Sequence, residues 1–111
     1  MRIQQLTDFT VEHTLLENSG TTLLVFTSQS CSHCRYVSQA LPKMALGVKQ
    51  LAWVDAGENG GAVAQFEVFH LPSFYLVRDG EFYGQVACVL EQSVLVNEIQ
   101  RLLQQPAQDL P

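Results

Sequence analysis

Residues 23–34 read Leu-Leu-Val-Phe-Thr-Ser-Gln-Ser-Cys-Ser-His-Cys, and the fold follows from how that run changes character. Leu23 to Phe26 are apolar and suit a short strand buried on both faces. Thr27 to Ser30 are small or polar, and Cys31 and Cys34 then flank two residues. From Arg35 to Leu46 the chain suits a helix, with apolar side chains at Tyr36, Val37, Ala40, Leu41 and Met44. Cys31 therefore falls where a strand hands over to a helix, at or near the helix N-terminus. Unpaired backbone N–H groups and the positive end of the helix dipole favour an anion there. The thiolate is the nucleophilic form of cysteine, so this position suits thiol–disulfide exchange.

The rest of the chain is long enough to bury one core around that run. Its 111 residues, 47% hydrophobic and 15% charged, suit a single α/β domain over 1–111 and argue against disorder. A formal charge of −5 with six scattered Lys and Arg disfavours nucleic acid or an anionic membrane as partner. The N-terminus lacks the apolar segment of ~7–15 residues that a secretory signal needs. No apolar run reaches the ~18–20 residues needed to span a bilayer. Three cysteines cannot all pair internally, and two of them lie too close in sequence to staple distant elements. A reducing, cytoplasmic setting is the expectation, with Cys-x-x-Cys either catalytic or metal-binding.

In chain order, Ile3–Leu6 suits a first strand. Thr7 or Asp8 suits the cap of a helix carrying Phe9, Val11, Leu15 and Leu16. Asn18-Ser19-Gly20 stops that helix, Thr22 to Thr27 forms the central strand, and a long helix starts near Cys31. Pro42, without an N–H, kinks or ends its first part. Leu51–Val54 is a further strand, ended by Asp55-Ala56-Gly57, and a short helix spans about 62–66. Ser73–Val77 and Glu81–Val89 read as a hairpin joined at Arg78-Asp79-Gly80. A last helix, from Glu91 or Ser93 to Gln104, has Leu95, Ile99, Leu102 and Leu103 on one face. Residues 105–111 are expected to form a polar, frayed tail.

With Cys31-Ser32-His33-Cys34 after a buried strand, Leu71-Pro72-Ser73 before the next, Val77-Arg78-Asp79-Gly80 and the closing amphipathic helix, the chain resembles the thioredoxin family from about Ile3 to Gln104. The resemblance implies a thioredoxin fold: a central mixed sheet of four or five strands with helices on both faces. It also implies a cis Leu71–Pro72 bond beside Cys31, in a loop offering its backbone to an extended substrate chain. Five positions depart from the family pattern. Ser30 stands where the family usually has Trp, and Ser32-His33 replaces Gly-Pro. Val25 stands at the position of a buried Asp, and Leu51 near that of a Lys, which removes the usual route for the proton of the second cysteine.

On this reading Cys31 attacks a disulfide and Cys34, one turn later, resolves the mixed disulfide. His33 is expected to tune Cys31, stabilising the reduced form and making the disulfide a better oxidant than a Gly-Pro pair. Pro72, Leu71, His70, Ser30 and Ser32 form the expected substrate-contacting surface. Cys88 is either a third thiol near the site or a small apolar core residue. A zinc site would need four ligands, and Cys88, His13, His33 and His70 supply no second pair at short spacing, so no metal and no cofactor is expected. The expected partners are disulfide-bearing proteins or small disulfide substrates, with electrons from a reductase or thiol pool. The competing expectation is an interaction or redox-sensing module that keeps the fold with little turnover.

Overall fold

A computed structural model describes residues 1–111. At its centre is β2 (Thr21–Thr27), whose Thr21 to Phe26 are all buried. It pairs in parallel with β3 (Gln50–Asp55) on one side and antiparallel with β4 (Ser73–Arg78) on the other. β1 (Arg2–Leu6) adds in parallel outside β3, and β5 (Glu81–Val86) pairs antiparallel with β4. The sheet order is therefore β1-β3-β2-β4-β5, the five-stranded mixed arrangement the resemblance implied.

Strand side chains alternate between faces, and the helices sort accordingly. Leu23, Val25, Leu51, Trp53, Phe74 and Leu76 point to one face. There they meet Val37 of α2 (Ser32–Ala40) and Leu95, Ile99 and Leu102 of α4 (Gln92–Leu103). Leu24, Phe26, Ala52, Val54, Tyr75 and Val77 point to the other, where Leu15 of α1 (Val11–Glu17) and Ala62 of α3 (Gly60–Gln65) cover them. Burying a single Phe26 or Leu23 side chain in this way contributes about 1.5–3 kcal/mol. No Asp, Glu, Lys or Arg is buried, and the polar pair inside the sheet is neutral, with Thr22 Oγ1 donating to Gln50 Oε1 at 2.9 Å. Both cores are thus held by apolar contact.

The hairpin follows from its turn residues. Asp79 (φ 51°) and Gly80 (φ 79°) both adopt the left-handed region that a two-residue turn of this hand requires. The Asp79 carboxylate accepts the Gly20 N–H at 2.7 Å, tying the hairpin to the turn that precedes β2.

Several boundaries differ from the expectation. α2 stops at Ala40, short of the Leu46 that its apolar pattern reached, and passes into a tighter 3₁₀ turn at Leu41–Lys43, where Pro42 ends the ladder as expected. β5 stops at Val86, so residues 87–90 form a loop. Phe9, expected on the first helix, precedes α1 and is 91% exposed. The tail is not frayed: Gln108 and Phe82 exchange two backbone hydrogen bonds of 2.8 Å, and Leu110 packs on the α1/α3 core. That contact gives the outer edge of β5 a partner.

Candidate active site

β2 delivers the chain to Cys31, whose extended backbone makes it the N-cap of α2. A cap normally offers a side-chain oxygen to an unpaired helix N–H. Here sulfur does so: Cys31 Sγ accepts the Cys34 N–H at 3.1 Å. The same sulfur lies 3.7 Å from the Leu71 carbonyl, to which a protonated Cys31 donates. One backbone group therefore suits each protonation state of the sulfur. The Leu71–Pro72 bond is cis, Pro72 is buried, and β4 begins at the next residue. The Ser73 hydroxyl closes this loop by donating to the His70 carbonyl.

The two cysteines are unlike. Cys31 is partly exposed, whereas Cys34 is 1% exposed. Burial, and after it the hydrogen bond to Cys31, push the Cys34 thiol up from 9.0 to about 11, with the Ser28 backbone opposing and the charges of Cys31 and Cys88 adding to the rise. The contributions of Cys31 require a free sulfur.

The structure distributes the remaining predicted residues unevenly. His33 is exposed and its ring stacks on Tyr36, centroids 6.4 Å apart at 23°. Its imidazole makes no hydrogen bond to Cys31 Sγ, whose two partners are Cys34 and Leu71. Ser32 opens α2 and is exposed. The Ser30 hydroxyl pairs with that of Ser28 at 3.3 Å. His70 is exposed, and Leu71 is half-buried beside the α1/α3 core. Cys88 is half-buried against the α2/α4 core, and burial first, then the charge of Cys31, raises its thiol above the ordinary cysteine value. No three His, Cys, Asp or Glu side chains converge in a metal-holding group.

Val25 and Leu51 are fully buried among apolar neighbours, so the core beneath Cys34 holds no acid or base. An acid that sequence reading passed over lies farther along the same sheet face. Strand alternation carries Leu51 and Trp53 to Asp55, which is paired in register with Thr27. Asp55 faces a cleft of about 360 Å³ that Cys31, Cys34 and Ser38 also line. The signal was present in the parity of positions 51, 53 and 55, but a lone polar residue before Ala56-Gly57 reads as a strand end.

Comparisons with known proteins agree with this geometry. A family model described as Thioredoxin matches residues 2–101. A thioredoxin of Staphylococcus saprophyticus is 26% identical over 106 residues, covering 93% of this chain and 100% of that protein. A thioredoxin of Staphylococcus haemolyticus is 29% identical over 84 residues, covering 73% of this chain and 79% of that protein.

Proposed function

Because the chain belongs to the thioredoxin family, we propose that it is a thiol–disulfide oxidoreductase in which Cys31 attacks and Cys34 resolves. The observation that carries this reading is the inequality of the two sulfurs. Cys31 is reachable and capped by a helix N–H, while Cys34 is buried and holds its proton. Cys31 thiolate attacks a substrate disulfide, forming a mixed disulfide and releasing one substrate thiolate. Cys34 then loses its proton and attacks Cys31 Sγ, so that the Cys31–Cys34 disulfide forms and the second substrate thiolate leaves. A reductase or thiol pool returns the two electrons.

Substrate is held, on this reading, as an extended chain along the Leu71–Pro72 loop, with Ser30, Ser32 and His70 at its margins. Disulfide-bearing proteins are the natural clients, and a reducing compartment such as a bacterial cytoplasm the natural setting. No helix is long and apolar enough to cross a membrane. His33 acts on Cys31 through space rather than by contact, and together with the loss of Gly-Pro it makes the disulfide less reducing. The expected potential lies above the value of about −270 mV typical of thioredoxins, measured by equilibration with a reference thiol couple. A value at or below it excludes this tuning.

Reduction of insulin by the wild type, lost in Cys31→Ser, tests the activity itself. An absence of cysteine-dependent turnover with every electron donor would leave an interaction module on the same fold.

A further inference from the structure

Resolution requires Cys34 to surrender a proton, yet nothing ionisable lies beneath it: Val25 and Leu51 are apolar and fully buried. Cys34, though buried, lines the wall of the cleft it shares with Asp55. Two hydroxyl-bearing residues, Thr27 and Ser38, line the same space. Its volume of about 360 Å³ admits several waters, each needing roughly 30 Å³. Asp55 Oδ1 is occupied by the Gly57 N–H at 2.9 Å, and Oδ2 has no hydrogen-bond partner in the protein. One carboxylate oxygen thus anchors the side chain and the other remains available to water.

We propose that Asp55 accepts, through water in this cleft, the proton that Cys34 gives up when it resolves the mixed disulfide. The inference rests on the two-cysteine reading above. With Cys31 Sγ bonded to the substrate sulfur, the Cys34 proton passes to a cleft water as that water passes one of its own to Asp55. The Cys34 thiolate attacks Cys31 Sγ, the Cys31–Cys34 bond forms, and the Cys31–substrate bond breaks with its electron pair on the departing substrate thiolate. Asp55 then returns its proton to solvent. Two electrons move from the protein dithiol to the substrate disulfide, and no other reductant is involved.

The charged and titratable groups facing the cleft are few. α2 and its cap bring Cys31, Cys34 and Arg35; the end of β3 brings Asp55, and the turn after it brings Glu58 in the adjoining hollow. The end of β2 contributes Thr27, Ser28 and Gln29, and the β1 side contributes Ile3 and Gln5, all uncharged. Asp55 is the carboxylate that shares a wall with Cys34. It is a proton-positioning residue, because it acts through water and does not touch the substrate.

The reduced protein is mixed in a stopped flow with the disulfide of thionitrobenzoate, whose released thiolate is followed by absorbance. Attack by Cys31 releases one equivalent and resolution by Cys34 the second, so the two steps are read separately. Asp55→Asn keeps the bond to Gly57. It should leave the first phase unchanged and slow the second by about tenfold near neutral pH, a modest part of the ~10²–10⁴ available to a positioned base. The gap should close as pH rises and hydroxide replaces the relay. Asp55→Glu should restore most of the second phase. An unchanged second phase in Asp55→Asn, a slowing by one factor at every pH, or both phases slowed together would overturn the proposal. A wild type that releases only one equivalent would overturn the two-cysteine reading, and this inference with it.

Discussion

At the scale of single residues, the chemistry rests on how differently one backbone turn treats two identical side chains. Cys31 takes a helix donor and faces outward; three residues later Cys34 faces inward and is pushed up to about 11. The rise from 9.0 leaves about a hundredfold less Cys34 thiolate near pH 8 than in an ordinary cysteine. Alkylation of the reduced protein, mapped by peptide mass, should therefore mark Cys34 about a hundredfold more slowly than a cysteine in the unfolded chain. The same rise has a thermodynamic sign. The folded state holds this proton more tightly than the unfolded chain, so the stabilisation is complete below pH 9.0 and is lost as pH climbs through about 11. Urea midpoints of the reduced wild type should fall between about pH 8 and about pH 10.5, and fall less in Cys34→Ser. The two cysteines of the proposed site were legible in the sequence because strand, polar gap and helix succeed one another in twelve positions. The position of the His33 ring was not, because an exposed imidazole chooses its neighbour among side chains rather than by backbone pattern. It lies on Tyr36.

Elements declared themselves by periodicity, and their ends by Gly, Pro and Asp. The β4–β5 turn is the clearest case, since Asp79 and Gly80 both hold positive φ. A Cβ added at Gly80 would also come within 3.0 Å of the Leu16 carbonyl oxygen. Gly80→Ala should cost about 1–3 kcal/mol from backbone strain alone, read as a lower denaturant midpoint with an unchanged slope. Ends set by tertiary contact were harder to read. Apolar residues as far as Val89 prolonged the apparent β5 strand, yet pairing with β4 stops at Val86, opposite Phe74. The tail is the same kind of miss: its polar composition suggests solvent, while its backbone completes a sheet edge. Removing residues 105–111 takes away the two Phe82–Gln108 bonds and the contact of Gln65 Nε2 with the Pro111 carbonyl. The cost should be about 1.5–4.5 kcal/mol, at ~0.5–1.5 for each of these three bonds, seen in equilibrium unfolding with the Cys31 reaction rate unchanged.

For the molecule as a whole, residue pattern predicted the class and the family resemblance a mixed sheet of four or five strands, while the strand order came from the structure. Nothing local says that β1 and β2 both lie against β3, because parallel neighbours are joined through crossovers rather than turns. Once the order is known, alternation assigns the apolar residues of the central strands to one of two cores, and the helices follow. Those cores enclose no carboxylate and no cation. Acidification toward pH 4 thus neutralises groups that already face water, and leaves the buried contacts as they were. A fold of this kind should tolerate sour surroundings, its near-UV dichroism at pH 4 matching that at neutral pH.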